Sequence, residues 1–592
     1  MRKTLLINLL LGMALLVNAI PAFNVWQVFR QPDGSSLRLL LVGDEHFHYY
    51  ITDDSVAVMQ HRGAFYYAQC VDGRLRTSSL LAHDAKQRTM EEKAALMRAD
   101  EMQRLRPRTK RGIQRRRDGK RRTYDGEKKG LVILVDFPDR KFFDGEQDEQ
   151  VTYNRYLSML NQQGYTNDLG AIGSVHDYFR SQSGGMFNLS FDLVGPVTMP
   201  ESCDYYGEDL GANGVDLHVP EMLVEACSLI DEGVDFSEYD WDGDGYVDEV
   251  FLLYAGYGQA TGGGWSTIWP HMWSLTQAKE EEGVLSGPVA FDGVWVDVYA
   301  CSNELYGRQG TSQMGIGTIC HEFSHCLGLP DLYDVDNSSA FSLGTWDLMS
   351  KGNYNGPNGR GWVPAGYSAY ERWLAGWLQP VALSHDTLVY DMPPLAEQSM
   401  AYVIYNDGHP DEYYLLENRS KTAWDTYLPG QGLLISHVDY DEQAWNDNIV
   451  NTLIGFDHRH VTLFQAGGGT TGAKTAYPYQ DNDSLTDSST PAAMLYHPNI
   501  DGSFLMHKPI SAITFDEESS LVSFQFGNLN VSPTSITAVD GSDNDAAVYT
   551  LDGTRLPLAF HQYGNTYGQP SLPPGFYILR FADGSSRKIL VH

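Results

Sequence analysis

The chain has 592 residues, a formal net charge of −34 and six cysteines. A single core stops growing near ~250–300 residues, so several domains are expected. Six cysteines in so long a chain, none in a Cys-x-x-Cys pair, exclude a disulfide scaffold and a zinc knuckle. The acidic excess offers no basic face to phosphates, which excludes nucleic acid as a partner.

In chain order, "MRKTLLINLLLGMALLVNAIPA" joins two basic residues to an apolar run, with small residues at Ala19 and Ala22. It reads as an export signal over 1–22, because the run is shorter than the ~20 residues a bilayer span needs. No later stretch qualifies as a span, so the expectation is a secreted protein, extracellular or at the cell surface, with no membrane span once the signal is removed. Residues 23–103 begin with short strands and turns, broken at Gly43-Asp44 and Asp53-Asp54, and end in a polar helix. Between Arg104 and Arg122 lie eleven Lys or Arg and one acidic residue. Such a block repels itself and cannot bury a core, so 104–127 is expected as an exposed linker.

Beyond the linker, "KGLVILVDFPD" and "VFLLYAG" are continuous apolar runs of the kind that form buried strands, and "SVHDYFRSQSGG" and a stretch near 217–231 are helical. This mixture defines an α+β domain over 128–385. From 386 to 527 short strands separated by turns predict a β-sandwich-like domain, and 528–592 a small C-terminal β module.

Chemistry concentrates in "GTICHEFSHCLGLPD", residues 317–331. Positions four apart share a helix face, so His321 and His325 can present both imidazoles to one zinc ion. Glu322, beside the first ligand, is placed as a base. Gly328 stands where a helix ends in a left-handed residue, and Pro330 prevents the helix from resuming. The chain can then turn back and bring Asp331 within reach as a third ligand. Behind it, "FSLGTWDLMSKGNYNG" is a Gly-rich turn centred on Met349, suited to a hydrophobic floor beneath the metal.

These residues resemble the immune inhibitor A-like metallopeptidases of the metzincin clan, whose motif is His-Glu-x-x-His-x-x-Gly-x-x-Asp. The likeness extends over roughly 128–527 through "GLVILVDFPD", "SVHDYFRSQSGG", "DWDGDGYVDEVFLLYAGYG", "IWPHMWSL", "SAYERWLAGWL" and "YYLLENRSKTAWDTYLPGQGLLISHVDYD". It implies a metzincin-like domain with a twisted sheet and an active-site helix. His321, His325 and Asp331 would hold zinc, Glu322 would be the general base, and protein or peptide substrates would be hydrolysed. Where some metzincins have a tyrosine two residues after the turn methionine, this chain has Lys351, leaving Tyr354, Tyr367 and Tyr370 as candidates for stabilising an oxyanion. The tail, "VYTLDGTRLP" to "LPPGFYILRFADGSSRKILVH", resembles C-terminal sorting domains of type IX secretion cargo.

Other features stand apart from the motif. "DWDGDGYVDE" sets Asp240, Asp242, Asp244, Tyr246 through its carbonyl, and Asp248 at EF-hand-like positions, with Phe251 where the closing Glu would stand; calcium is the expected ion. His271, Glu417, Asp425 and His437 read as packed and satisfied. A segment over 23–103 on an exposed tether suits a propeptide that keeps the enzyme silent as its own partner before activation. Asp44 and Cys70 are its candidates for displacing the catalytic water. Two rivals remain: a gluzincin-like hydrolase whose third ligand is Glu371, with Asp334 a further candidate, and a catalytically silent surface-binding protein that uses its β domains.

Overall fold

The structure is a computed structural model; it describes residues 18–97, 124–528 and 545–591, apart from 24, 45–47, 62, 72–73, 144–147, 210–215, 280–286, 336–341, 454, 551–554, 564–565, 569–574 and 582–585. Residues 1–17 of the expected export signal and 104–123 of the basic linker lie outside them. The chain forms two compact units, Met1–Leu529 and Asn530–His592.

The fold of the larger unit is mixed α+β. The apolar run after the linker is the strand Gly126–Asp136, hydrogen-bonded in parallel to Phe187–Thr198 on one side and to Val250–Tyr257 on the other. Val250–Tyr257 in turn pairs in parallel with Val298–Leu305. Parallel strands covered on both faces read as unbroken apolar runs, because both sets of alternating side chains must be buried. Thus Val132, Leu134, Phe251 and Leu253 enter one core with the helices Glu149–Asn161, Val175–Gln182 and Gly317–Cys326. Leu131, Ile133, Val250 and Leu252 enter a second core with the helix Val219–Ile230. The Val175–Gln182 helix starts on a reciprocal cap between Ser174 and Asp177, which satisfies two of its free backbone donors.

The sheet ends in an antiparallel strand, His271–Ser274, paired with Val298–Leu305. Its outer edge is taken by Asn18–Ala19, also antiparallel. The next residues lead into an antiparallel meander of six strands, from Gln27–Arg30 to Arg74–Leu81.

Toward the C-terminus a five-stranded sheet, Val381–Ala382 to Val461–Leu463, shares a core with a three-stranded sheet made of Thr387–Met392, Val522–Phe526 and Ile510–Phe515. Neither of its long strands, Glu412–Arg419 and Gly432–Asp439, has a solvated face: every residue in both is buried. Ile404, Tyr414, Leu416 and Ile435 face the smaller sheet, whereas Val403, Tyr413, Leu415 and Leu434 join the core of the Gly317–Cys326 helix. One sheet therefore serves two cores. By itself, the second unit is an antiparallel sheet of five strands between Asp545 and Val591.

Candidate functional site

The Gly317–Cys326 helix is buried at every residue. Gly317 lets the turn around Asn353 lie against its first residue: a Cβ there would sit 1.8 Å from the Asn353 carbonyl oxygen. At the other end Gly328 has φ 82°, the left-handed conformation that closes a helix cheaply only with glycine, and its N–H bonds the His325 carbonyl at 2.8 Å. The chain reverses, and Asp331 arrives beside the histidines.

His321 Nδ1 donates to the Leu348 carbonyl at 2.9 Å, and His325 Nδ1 to the Leu329 carbonyl at 2.7 Å. Each imidazole is thereby oriented, with Nε2 left as a lone pair. The two Nε2 atoms lie 3.2 Å apart, and Asp331 Oδ1 is 3.2 Å from the first and 3.6 Å from the second. Burial, and then the neighbouring His321, push the His325 pKa well below the ordinary imidazole value. Two lone pairs and a carboxylate oxygen converging in a buried site repel one another unless a cation lies among them, and this donor set suits zinc. Met349 is fully buried in the same core as the helix, one residue after the carbonyl that orients His321.

Of the rival third ligands, Glu371 is engaged in the reciprocal cap with Ser368 that starts the helix Ala369–Leu374, and Asp334 pairs with Arg459 at 3.3 Å. Asn448 had no sequence signal. Its amide holds Asp331 from both sides: Nδ2 donates to Asp331 Oδ2 at 2.7 Å, and Oδ1 accepts the Asp331 N–H at 2.7 Å. Asn448 has φ 49°, a conformation asparagine tolerates better than most residues.

Glu322 lies in the same cluster as the two histidines, fully buried. Its Oε1 accepts the backbone N–H of Ile20 at 3.1 Å. The segment around Ile20 is held through its backbone: Trp269 Nε1 donates to the Ile20 carbonyl at 3.0 Å, Tyr354 Oη to the Pro21 carbonyl at 2.9 Å, and Ala22 N–H to the Gly43 carbonyl at 2.9 Å. Ile20 and Ala22 pack with Leu41, Ala260, Trp269, Met314 and Tyr354. Of the three candidate tyrosines, Tyr354 meets this segment. Tyr367 instead bonds Ser324, and Tyr370 bonds Trp445.

The group placed on Glu322 is thus backbone from the N-terminal segment. Asp44 is buried next to Gly43, its carbonyl bonded to His48 Nδ1 at 3.0 Å. Cys70 lies in the strand Ala64–Val71, with its side chain outside the described residues.

In the acidic loop Asp240, Asp242 and Asp244 come together. Asp240 accepts from Gly243 and Gly245, each at 2.9 Å, and Asp244 accepts from the Tyr246 N–H at 3.0 Å. Asp248 accepts the Trp241 N–H of the same loop at 2.6 Å and is buried. The remaining candidates are packed groups: His271 contacts the Trp269 carbonyl and Tyr299 Oη, His437 pairs with Glu412, and Glu417 and Asp425 pair with Arg419.

A helix carrying two oriented histidines and a carboxylate, with an aspartate folded back on them, is an arrangement that could hold a metal ion. Residues 114–379 match the family model of the immune inhibitor A peptidase M6 catalytic domain. The chain is similar to the pre-pro-metalloprotease PrtV of Vibrio cholerae serotype O1, 26% identical over 274 residues, covering 41% of this chain and 29% of PrtV. It is also similar to immune inhibitor A of Bacillus thuringiensis subsp. alesti, 26% identical over 311 residues, covering 45% of this chain and 44% of that protein. In both cases it spans less than half of the relative's length.

Proposed function

We propose that the protein is a secreted zinc-dependent endopeptidase of metzincin type, made as a proenzyme. The observation that carries this reading is the convergence of His321 Nε2, His325 Nε2 and Asp331 Oδ1 on one buried point beside Glu322. Zinc held there would supply a Lewis acid that polarises the scissile carbonyl and acidifies water. Glu322 would take the proton from the attacking water and return it to the leaving nitrogen. Tyr354 would donate to a substrate carbonyl, as it does to Pro21, and the edge strand His271–Ser274 would align the peptide through backbone hydrogen bonds. Casein hydrolysis that stops with a zinc chelator and returns with added zinc is the expected result. Hydrolysis indifferent to the chelator would overturn the reading. The intact His, Glu, His, Asp set disfavours the silent surface-binding alternative.

The proenzyme reading rests on the N-terminal segment. Asn18–Ala19 occupies the edge where substrate would lie, and the Ile20 N–H is bonded to the base itself. Removal of an export signal after Ala19 would discard the Asn18–Ala19 strand and leave Ile20 beside Glu322 as the new N-terminus, whereas removal after Ala22 would discard the buried Ile20 as well. Changing Lys and Arg from 104 to 129 to Gln should leave the secreted chain inactive on casein until a protease of different specificity opens the linker. If that uncut form is as active as trimmed enzyme, the segment is only a folding aid. Export is supported by the leader at 1–22, and by a relative that carries "pre-pro" in its name. No helix among the described residues is long and apolar enough to cross a membrane. The tail is proposed as a sorting module on its resemblance alone, and deleting 528–592 should leave the protein in the periplasm; export equal to wild type would refute it.

Calcium is proposed at Asp240, Asp242 and Asp244, where backbone N–H groups already wrap the carboxylates as an EF-hand-like loop requires. Calcium should raise the melting temperature of the wild type, and Asp242→Ala with Asp244→Ala should abolish the rise. Identical wild-type melting curves with and without calcium would count against the site.

A further inference from the structure

A second group of histidines gathers far along the chain from the catalytic helix, around the carboxylate of Asp439. Asp439 ends the strand Gly432–Asp439 and its side chain is only 4% exposed. Its Oδ2 lies 2.7 Å from His458 Nε2 and 3.0 Å from His497 Nε2, and 3.8 Å from His460 Nδ1. His409 stacks on His497 with ring centroids 3.9 Å apart. His409, Asp439 and His497 each offer one ligand atom, all within 4.8 Å of one another; Asp439, His458 and His460 do the same. Asp439 is shared by both sets.

Three buried atoms here have no hydrogen-bond partner among the described residues: Asp439 Oδ1, His409 Nδ1 and His460 Nε2. A carboxylate oxygen left bare beside another that is crowded by two imidazoles is costly without a cation. Part of the cluster is held as metal-binding histidines are held. His458 Nδ1 bonds Asp457 Oδ1 at 2.6 Å, which leaves Nε2 to face Asp439. The backbone of His497 is fixed by Glu412, and the His497 carbonyl by Asn406 from the turn that carries His409. His497 is 38% exposed, which gives an ion a way in.

We propose that this cluster is a second metal site, binding one divalent transition-metal ion of zinc type through Asp439, His497 and His409, with His458 as the neighbouring fourth donor. Imidazoles with a single carboxylate suit zinc, copper or nickel, whereas calcium and magnesium prefer an all-oxygen shell. The loop that carries His458 also carries Asn448, so an ion at Asp439 braces the loop that holds Asp331. The inference does not depend on the hydrolase reading.

The test empties the catalytic centre first. Full-length protein carrying His321→Ala and His325→Ala is stripped with a chelator, dialysed against zinc, and its metal content measured by plasma mass spectrometry. One zinc per chain should remain, and adding His409→Ala and His497→Ala should remove it. In the otherwise unaltered chain, the same two added changes should take zinc from two per chain to one, so misfolding of the first variant leaves the test intact. Zinc should also raise the melting temperature of the catalytic-site variant, with magnesium having no such effect. The proposal is overturned if zinc content is the same with and without His409 and His497.

Discussion

Glu322→Ala lowers casein turnover by roughly 100- to 10,000-fold, the range a positioned general base supplies, while zinc content measured on the stripped and reloaded protein stays at the wild-type level. The reason is the division of labour in the helix. His321 and His325 are oriented by the carbonyls of Leu348 and Leu329, and neither contact involves Glu322. Asp331→Ala gives the opposite signature, because it removes the oxygen that faces both Nε2 atoms and deprives Asn448 of its partner. Zinc is then lost at concentrations that saturate the wild type, and activity recovers in part with excess metal. Near-normal turnover by zinc-loaded Glu322→Ala would remove Glu322 from the mechanism. Unchanged zinc affinity in Asp331→Ala would move the third ligand elsewhere.

Arg419→Met destabilises the larger unit by about 3–5 kcal/mol, the usual cost of stripping one partner from a buried ion pair. Arg419 is fully buried, with Nη1 3.0 Å from Glu417 Oε1 and Nη2 2.7 Å from Asp425 Oδ1. Its Nη2 also donates to the Gly366 carbonyl at 3.0 Å, while Asp425 Oδ1 accepts the Gly366 N–H and Glu417 accepts the Ala369 N–H. The network ties the chain entering the Ala369–Leu374 helix to the sheet that serves two cores. A methionine fills the space but leaves two buried carboxylates without their cation. Guanidinium denaturation checks the loss, and an unchanged midpoint would show that the carboxylates find protons or water at no cost.

What could be read from the sequence is local. The four-residue spacing of His321 and His325, the left-handed turn at Gly328 and the stop at Pro330 are properties of a few consecutive residues, and they place Asp331 near the helix without any tertiary information. The unbroken apolar run at Gly126–Asp136 likewise announces a strand covered on both faces. The same logic fails for the five-stranded sheet. Alternation in Glu412–Arg419 and Gly432–Asp439 is masked by polar residues that are themselves buried, so nothing in the pattern reveals that one sheet closes two cores.

The sequence by itself determined which residues can bind a metal and where the helix that carries them must end, since periodicity and turn chemistry act over one or two turns of chain. Only the tertiary structure decided what surrounds them. Asn448 reaches Asp331 across 117 residues, and Ile20 reaches Glu322 across 302. Tyr354 meets Pro21, and four histidines collect around Asp439 from three separate loops. A hydrogen bond made at such separation depends on how strands and loops are brought together in space, and its two partners need carry no mark of it in the residues beside them.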